Sequence, residues 1–230
     1  MTAGTTAIAW AEFTNQGTGG SSDGIQLAEA AATISNAKER EDAKSVGLAN
    51  KLVTAAFSGS FYIEEADRFS GILVLGPPPA GADPGALVTV GGVMGLNAGN
   101  ERAILDPAVI VESAADPGRM PPPLFISGRY LGGADFNAYT PGVTGGEGLN
   151  QIGLLVSIFG RITSVGEQEI QVKIGLSDEP IDVIASSLDL SGYSADDYVI
   201  VTGIASLEVD GSVLKPIIRV SADDGIQEVP

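Results

Sequence analysis

The spacing of hydrophobic residues predicts a chain built almost entirely of short β-strands. Between residues 46 and 113, stretches rich in Val, Ile, Leu and Phe alternate with turns that contain Gly, Pro, Asn and Ser. The stretch PPPAGADPG at 77–85 is predicted to be a loop, because proline cannot donate a hydrogen bond to a β-sheet. The strands predicted in this half are 46–57, 61–65, 71–76, 86–96 and 101–113.

The second half shows the same kind of pattern. In EIQVKIG, the residues Ile170, Val172 and Ile174 fall on one face of a strand, which is the alternation of a half-buried strand. Asp210 and Gly211 form the dipeptide typical of a tight hairpin turn. The strands predicted here are 152–166, 169–175, 181–187, 198–207 and 213–221.

The two halves are interpreted as one pattern that occurs twice. LVTVGGVMGL at 87–96 matches YVIVTGIASL at 198–207, an offset of 111, and AILDPAVIV matches VLKPIIRV with an offset of 110. Each half has a long first strand, a hairpin, a third strand, a variable loop and a second hairpin, which is the order of an OB-fold barrel. We therefore predict an all-β fold of two tandem OB-like five-stranded barrels, with a β-sandwich as the alternative.

The same pattern divides the chain into segments. Phe125, Tyr130, Phe136 and Tyr139 lie in the Pro- and Gly-rich stretch between the halves, so this stretch is predicted to be ordered and packed against both barrels. The predicted segments are an N-terminal extended strand and tether at 1–24, a first barrel at 25–114, a connector at 115–151 and a second barrel at 152–230.

One short helix is expected. The residues of 25–41 include many helix formers, and the helix is predicted to begin at about residue 36 with Ser35 as its N-cap.

The N-terminus raises a separate question. TAIAWAEF at 6–13 is predicted to be a strand, and TNQGTGGSSDG at 14–24 to be a flexible tether. Its two faces carry Ile8, Trp10 and Glu12 on one side and Ala7, Ala9, Ala11 and Phe13 on the other.

An uncovered apolar strand is an aggregation hazard. It can fold onto its own barrel, be disordered or a remnant of processing, or add to the sheet of a neighbouring copy. A flexible eleven-residue tether spans roughly 18 Å on average and about 36 Å when stretched, which is enough to reach an adjacent subunit.

Charge and residue usage exclude several classes of function. The net charge is −17, from 12 basic and 29 acidic residues, which argues against nucleic acid and against an anionic membrane surface. No stretch has the ~18 apolar residues of a membrane span, so no membrane insertion is expected. With no Cys and no His, the chain cannot form a disulfide, a zinc finger or a Ser-His-Asp triad.

Two groups of side chains are candidates for ligand contact. Acidic residues near strand ends, Glu64–Glu65 with Asp67, Asp196–Asp197 and Asp223–Asp224, are candidates for weak binding of a divalent cation, although no calcium-loop spacing is present. The aromatic residues Tyr62, Phe69, Tyr130 and Tyr139 are candidates either for stacking on a glycan or for contacts between the barrels.

Four stretches resemble secreted bacterial proteins that are built of tandem OB-like modules. They are GSFYIEEADRFSGILVLG, LVTVGGVMGLNAGNERAIL, YLGGADF followed by GVTGGEGLNQIGLLVSIFGRIT, and DDYVIVTGIASL. The resemblance covers about residues 35–227, and GGEGLNQIGLLV is its most specific part. It implies the fold and an extracellular location, and it implies no activity. TAIAWAEFTNQGTGG at the N-terminus has no counterpart in these modules.

These observations lead to two hypotheses of function. The first is a non-enzymatic, extracellular or cell-surface structural protein that forms a filament or tube with copies of itself, with no catalytic residue, metal or cofactor. Its subunit interface would include Ala7, Ile8, Ala9, Trp10, Ala11 and Phe13. The alternative is a secreted tandem OB-fold module that binds a glycan or a cell-surface partner.

Overall fold

The computed structural model describes residues 30–175 and 179–229. The N-terminal strand and tether predicted at 1–24 lie outside the described residues. The described chain begins at Ala30, which forms a parallel bridge with Gly47. Helix α1 follows at Ile34–Lys38. The predicted N-cap was wrong: Thr33, in an extended conformation, accepts a hydrogen bond of 3.1 Å from the backbone N–H of Asn36 and begins the helix.

The first barrel closes on itself in the order β1-β2-β3-β5-β4. Strand β1 bends at two bulges, so its first half pairs with β4 and its second half with β2. All pairings are antiparallel except the short parallel contact between β3 and β5. The strands are β1 Ser45–Phe57, β2 Ser60–Glu64, β3 Gly71–Leu75, β4 Leu87–Leu96 and β5 Arg102–Ser113.

The second barrel repeats this order. Strand β7 pairs with β8 and β10, and β9 pairs with β11 in parallel, so five strands form the same OB-type barrel. Two short strands widen the sheet: β6, which lies in the connector, and β12, near the end of the chain. The strands are β6 Leu124–Phe125, β7 Leu155–Val165, β8 Glu169–Lys173, β9 Ile181–Ile184, β10 Tyr198–Asp210, β11 Val213–Arg219 and β12 Ile226–Glu228.

The predicted fold class is therefore confirmed: the chain is all-β, with two OB-like barrels and one short helix among the described residues. The offset of 110 predicted between the last strands of the two halves, β5 and β11, was wrong by a few residues. Ala103 of β5 pairs with Leu73 of β3, and the residue in the equivalent place on β11 is Ile218, which pairs with Val183 of β9. The difference arises because β10 continues to Asp210 before the chain turns back.

Each barrel has its own hydrophobic core, and a third cluster lies between them. The third cluster contains buried residues from both halves of the chain: Ala55, Tyr62, Leu73, Ala103, Leu155 and Ile204. Burial of this apolar surface joins the two barrels. Within residues 30–175 and 179–229, no helix has the length and apolar character needed to cross a bilayer.

Candidate functional site

The barrels meet at a buried polar cluster. Tyr62 on β2 and Glu101 just before β5 come from the first barrel, and Ser206 on β10 comes from the second. The Tyr62 hydroxyl donates a hydrogen bond of 3.1 Å to the Glu101 carboxylate, and the Ser206 hydroxyl donates one of 2.5 Å to the same oxygen. Tyr62 Oη and Ser206 Oγ lie 3.3 Å apart. The three side chains thus connect the barrels at a site without contact to water.

A second contact is made to the backbone of β7. The Glu64 carboxylate accepts a hydrogen bond from the N–H of Leu155, and the Arg68 guanidinium donates one of 2.8 Å to the C=O of the same residue. Both backbone groups of Leu155 are therefore satisfied by the first barrel. Burial raises the pKa of Glu64, while the Leu155 N–H and Arg68 oppose this effect.

The two backbones also touch directly. A Cβ atom added to Gly71 at the start of β3 would lie 2.1 Å from the carbonyl oxygen of Gly153. Gly153 itself has a φ of +93°, a conformation that favours glycine. Only glycine at both positions allows this approach.

Helix α1 contributes a buried lysine to the same junction. The ammonium of Lys38 donates a hydrogen bond of 2.9 Å to the C=O of Ile152, and the C=O of Lys38 accepts one of 2.8 Å from Thr140 in the connector. Burial lowers the pKa of Lys38 to about 8, against the opposing effect of Glu101 and Glu64. The helix therefore links the first barrel, the connector and the start of β7.

Burial also has the largest effect on the pKa of Glu101. It raises the pKa of the Glu101 carboxyl from 4.5 to about 7, despite the hydrogen bonds from Ser206 and Tyr62 and the nearby charges of Arg219 and Lys38. Burial likewise raises the pKa of Tyr62. Strongly shifted pKa values often mark active sites. Here Glu101, Tyr62 and Lys38 are buried and contact the opposite barrel or its backbone.

Two clefts lie along this junction. One, of about 530 Å³, is lined by Phe57, by Arg219 and by serines that include Ser186 and Ser187. The Arg219 guanidinium lies 4.6 Å from the centre of the Phe57 ring. The other, of about 610 Å³, is more apolar and is lined by residues that include Met120 and Leu155.

Strand β5 has an unusual edge. Only Ala103 and Ile104 pair with β3, whereas the strand pairs with β4 from Arg102 to Ser113, with interruptions at Asp106–Pro107 and Glu112. Among the described residues, Asp106–Ser113 therefore has a strand partner on one side only. An unpaired edge of this length can bind another strand.

Two edges in the second barrel have contacts from other parts of the chain. The C=O of Leu214 on β11 accepts a hydrogen bond of 3.0 Å from the N–H of Thr144, and the N–H of Leu214 donates one of 2.8 Å to the Thr144 hydroxyl. Strand β12 takes the position on β10 that the end of β5 takes on β4, and its Ile226 C=O accepts a hydrogen bond of 2.7 Å from the Tyr193 hydroxyl. At the β5 edge, the described contacts are a hydrogen bond of 2.9 Å from the Arg119 guanidinium to the Ser113 hydroxyl and the approach of the 76–82 loop to Pro107 and Val111.

The outer surface of the second barrel carries an aromatic face, which consists of Phe125, Phe159, Tyr198 and Ile200. The rings of Phe159 and Tyr198 are stacked, with centres 5.8 Å apart and planes 13° from parallel. Ile200 is paired with Phe159 across the sheet, and Phe125 lies beside the same strand. All four side chains are exposed.

The four aromatic residues that were candidates for ligand contact lie in different environments. Tyr62 is buried between the barrels, so it is a contact between them and is not available for stacking on a ligand. Phe69, in the loop after β2, is 79% exposed, and Tyr130 lies under the guanidinium of Arg129. The Tyr139 hydroxyl donates a hydrogen bond to Glu41. No ring contact joins Phe69, Tyr130 and Tyr139 among the described residues. The predicted interface residues Ala7, Ile8, Ala9, Trp10, Ala11 and Phe13 lie outside the described residues.

The acidic candidates mostly have other partners. Glu65 forms an ion pair of 2.8 Å with Lys51, and Asp67 accepts a hydrogen bond from the N–H of Phe69. Asp196 is paired with Arg161, and Asp197 accepts a hydrogen bond from the N–H of Ser194. In residues 30–175 and 179–229, no group of three or more acidic residues is placed to hold a metal ion.

Sequence reasoning missed the main residues of the junction. Glu101 and Lys38 have the appearance of surface charges, and Ser206 of an ordinary strand residue. The one available signal was the run FYIE at 61–64, where alternation fails because both faces of β2 are buried. Phe159 and Tyr198 were missed because the strands that contain them were interpreted only for their inward faces.

No family model and no curated protein matches this sequence. Solved structures match it at low similarity. A murine DNA-binding protein bound with double-stranded DNA is 10% identical with a TM-score of 0.37, and the match covers 80% of this chain and 96% of that chain. A p202 HIN1 domain in complex with a 12-mer double-stranded DNA is 12% identical with a TM-score of 0.33, covering 82% and 94%. The tetrameric p202 HIN2 domain is 11% identical with a TM-score of 0.32, covering 82% and 95%.

These structures correct one prediction made from charge. The net charge of −17 led us to exclude nucleic acid as a partner, yet two of the proteins with a similar fold were solved with double-stranded DNA. The exclusion is wrong because net charge describes the whole chain, whereas a duplex meets only a local surface. The likeness concerns the fold alone and assigns no ligand to this chain.

Proposed function

We propose that this chain is a non-enzymatic, extracellular structural protein that assembles into a filament or tube. The N-terminal strand at 6–13 of each copy binds to the next copy, so the contact is head-to-tail. Such a contact propagates into a polymer unless its rotation closes a ring.

The observation that carries this proposal is the use of the buried ionisable groups. Glu101, Glu64 and Lys38 all bind the opposite barrel or its backbone, and together they fix two barrels as one unit. A building block needs this rigidity, whereas an enzyme needs such groups beside a substrate.

The sequence of the N-terminal strand supports the same conclusion. Residues 1–13 carry one charged side chain, Glu12, in a chain of net charge −17. Copies of so acidic a chain repel one another, so stable contacts require surfaces with little charge. The strand is such a surface, and Trp10 provides a large apolar anchor.

The experiment is negative-stain electron microscopy of three chains: the full chain, a variant that lacks residues 1–20, and a control that lacks residues 1–5. The control removes an N-terminal segment but keeps TAIAWAEF. We expect regular polymers from the full chain and the control, and dispersed particles from the longer deletion. Dispersed particles in all three samples would contradict the proposal.

The glycan-binding alternative rests on the cleft lined by Phe57, Arg219 and serines. Hydroxyl groups and an aromatic ring beside a cation suit a polyhydroxylated ligand. A glycan array tests it, with Ser187→Tyr as the variant that fills the cleft. Binding that is lost in Ser187→Tyr supports this function, and no binding on the array excludes it.

A further inference from the structure

We propose that the β5 edge, Asp106–Ser113, is the acceptor for the N-terminal strand, Thr6–Phe13, of a second copy. This inference rests on the proposed function and names the surface at which assembly occurs. The added strand would extend the β1–β4–β5 sheet by one strand.

The sheet edges of the two barrels have different contacts. In the second barrel, Thr144 covers β11 and Tyr193 covers the edge of β12. In the first barrel, the described residues leave Asp106–Ser113 paired only with β4. Asp106–Ser113 is therefore a place at which another strand can add to the sheet.

The residues of the β5 edge are suited to pairing with another strand. Ala108–Val111 contains no charge, and it consists mainly of β-branched residues, which favour strands. Val109 and Val111 pack against the first core, while Ile110 points outward and is 44% exposed. Asp106 and Pro107 at one end, and Glu112 near the other, are residues that limit pairing to the stretch between them.

The β5 edge and the N-terminal strand match in length and in the size of their side chains. The edge and the strand TAIAWAEF are both eight residues long. The outward side of the strand, with Ile8 and Trp10, would pack beside Ile110 as a cross-strand contact. The opposite side consists mainly of Ala, which is small enough to lie next to the 76–82 loop that approaches Pro107 and Val111.

The described chain begins at the other side of the same sheet. Ala30 bridges Gly47 on the side of β1 that faces away from β4, so it lies at the opposite edge of the β1–β4–β5 sheet from the acceptor. That distance is four strand spacings, roughly 19 Å. The tether spans about 36 Å when stretched, so it is long enough to cover this distance within one chain or between copies. Binding to a second copy gives every copy one donor strand and one acceptor edge, which is the condition for a polymer.

The first test compares Ile110→Lys with Ile200→Lys in the full chain. Both residues are exposed isoleucines on strands, but Ile200 lies on β10, which has partners on both sides. Lysine on an edge strand opposes pairing, so Ile110→Lys should raise the concentration needed for assembly at least tenfold, while Ile200→Lys assembles like the full chain.

Trp10 provides the second readout, because it is the only Trp in the protein. Its emission should shift to shorter wavelength on assembly in the full chain and in Ile200→Lys, and should stay at the solvent-exposed wavelength in Ile110→Lys. Thermal unfolding of the two variants checks that both remain folded.

Two results would overturn the inference and leave the proposed function intact. One is normal assembly of Ile110→Lys, and the other is loss of assembly in Ile200→Lys alone, which would place the contact on the aromatic face. Absence of assembly in the full chain would contradict the proposed function and the inference together.

A cross-link distinguishes a second copy from the same chain. The protein has no Cys, so Glu12→Cys and Ala108→Cys create single reactive thiols, and both positions lie on the outward side of the extended sheet. When the two single variants are mixed and treated with a short bis-maleimide, we expect a covalent dimer of one copy of each. A cross-link that forms only within a chain carrying both substitutions would overturn the inference in favour of docking on its own barrel.

Discussion

Ser206 of the second barrel donates a hydrogen bond of 2.5 Å to the carboxylate of Glu101 in the first barrel. The two residues are 105 positions apart in the chain, and both are fully buried. Hydrogen bonds to a buried carboxylate are strong, and leaving such a carboxylate without them is costly. This contact is therefore central to the junction of the barrels.

The first prediction concerns the pH dependence of stability. Burial raises the pKa of Glu101 from 4.5 to about 7, so the native state holds this proton more tightly than the unfolded chain. The stabilising contribution is fully present below about pH 4.5 and is lost as the pH rises to about 7, a total on the order of 3 kcal/mol at about 1.4 kcal/mol per pKa unit. Urea unfolding of the native chain and Glu101→Gln between pH 4.5 and 7.5 measures it.

Glu101→Gln should remove this part of the pH dependence, because the amide stays neutral and its oxygen accepts the same hydrogen bonds. The variant is then expected to gain stability relative to the native chain as the pH rises. A constant difference between the two proteins across the range would contradict the assignment. Lys38, whose pKa is lowered to about 8, titrates mainly above this window.

The second prediction concerns the close approach of the backbones. Gly71→Ala would place a methyl group 2.1 Å from the carbonyl oxygen of Gly153, so the barrels must separate locally. We expect a loss of about 2 kcal/mol or more in the free energy of unfolding, measured in urea.

Gly59→Ala is the matched control for this substitution. Gly59 lies in the β1–β2 turn, and an added Cβ atom there has no neighbour within 4 Å. Its effect should stay within a few tenths of a kcal/mol. Equal effects of the two substitutions would show that backbone contact between Gly71 and Gly153 does not limit the junction.

The third prediction concerns coupling across the junction. Tyr62→Phe and Ser206→Ala each remove one donor to Glu101, and each is expected to cost about 1–3 kcal/mol because the carboxylate stays buried. In a double-mutant cycle the two effects should be non-additive by more than about 0.5 kcal/mol. Additive effects would indicate that the two hydroxyls do not share the carboxylate.

The sequence predicted the barrels well for a physical reason. Strand formation is marked by local alternation, as at Ile170, Val172 and Ile174, and these residues are buried as expected. The OB-type order then followed from the repeat of the two halves.

The junction could not be predicted in the same way, because it depends on contacts between distant residues. Tyr62 was a candidate either for stacking on a ligand or for contact between the barrels, and local alternation could not decide between them. One face of β2 packs into the first barrel and the other against the second, so the whole strand is buried. Glu101 follows an Asn-Ala-Gly-Asn turn and has the local sequence of a surface residue, and its buried position depends on contact with the second barrel, where Ser206 lies. The open edge of β5 likewise depends on which strands β3 reaches, and spacing along the chain does not show this.

The most direct measurement is a cryo-electron microscopy map of the assembled protein. The account predicts an additional strand beside Asp106–Ser113, with a bulky side chain at the position of Trp10, that connects to residue 30 of a different copy. A polymer whose map leaves the β5 edge unpaired would contradict the acceptor. Protein that forms no polymer at any concentration would contradict the proposed function itself.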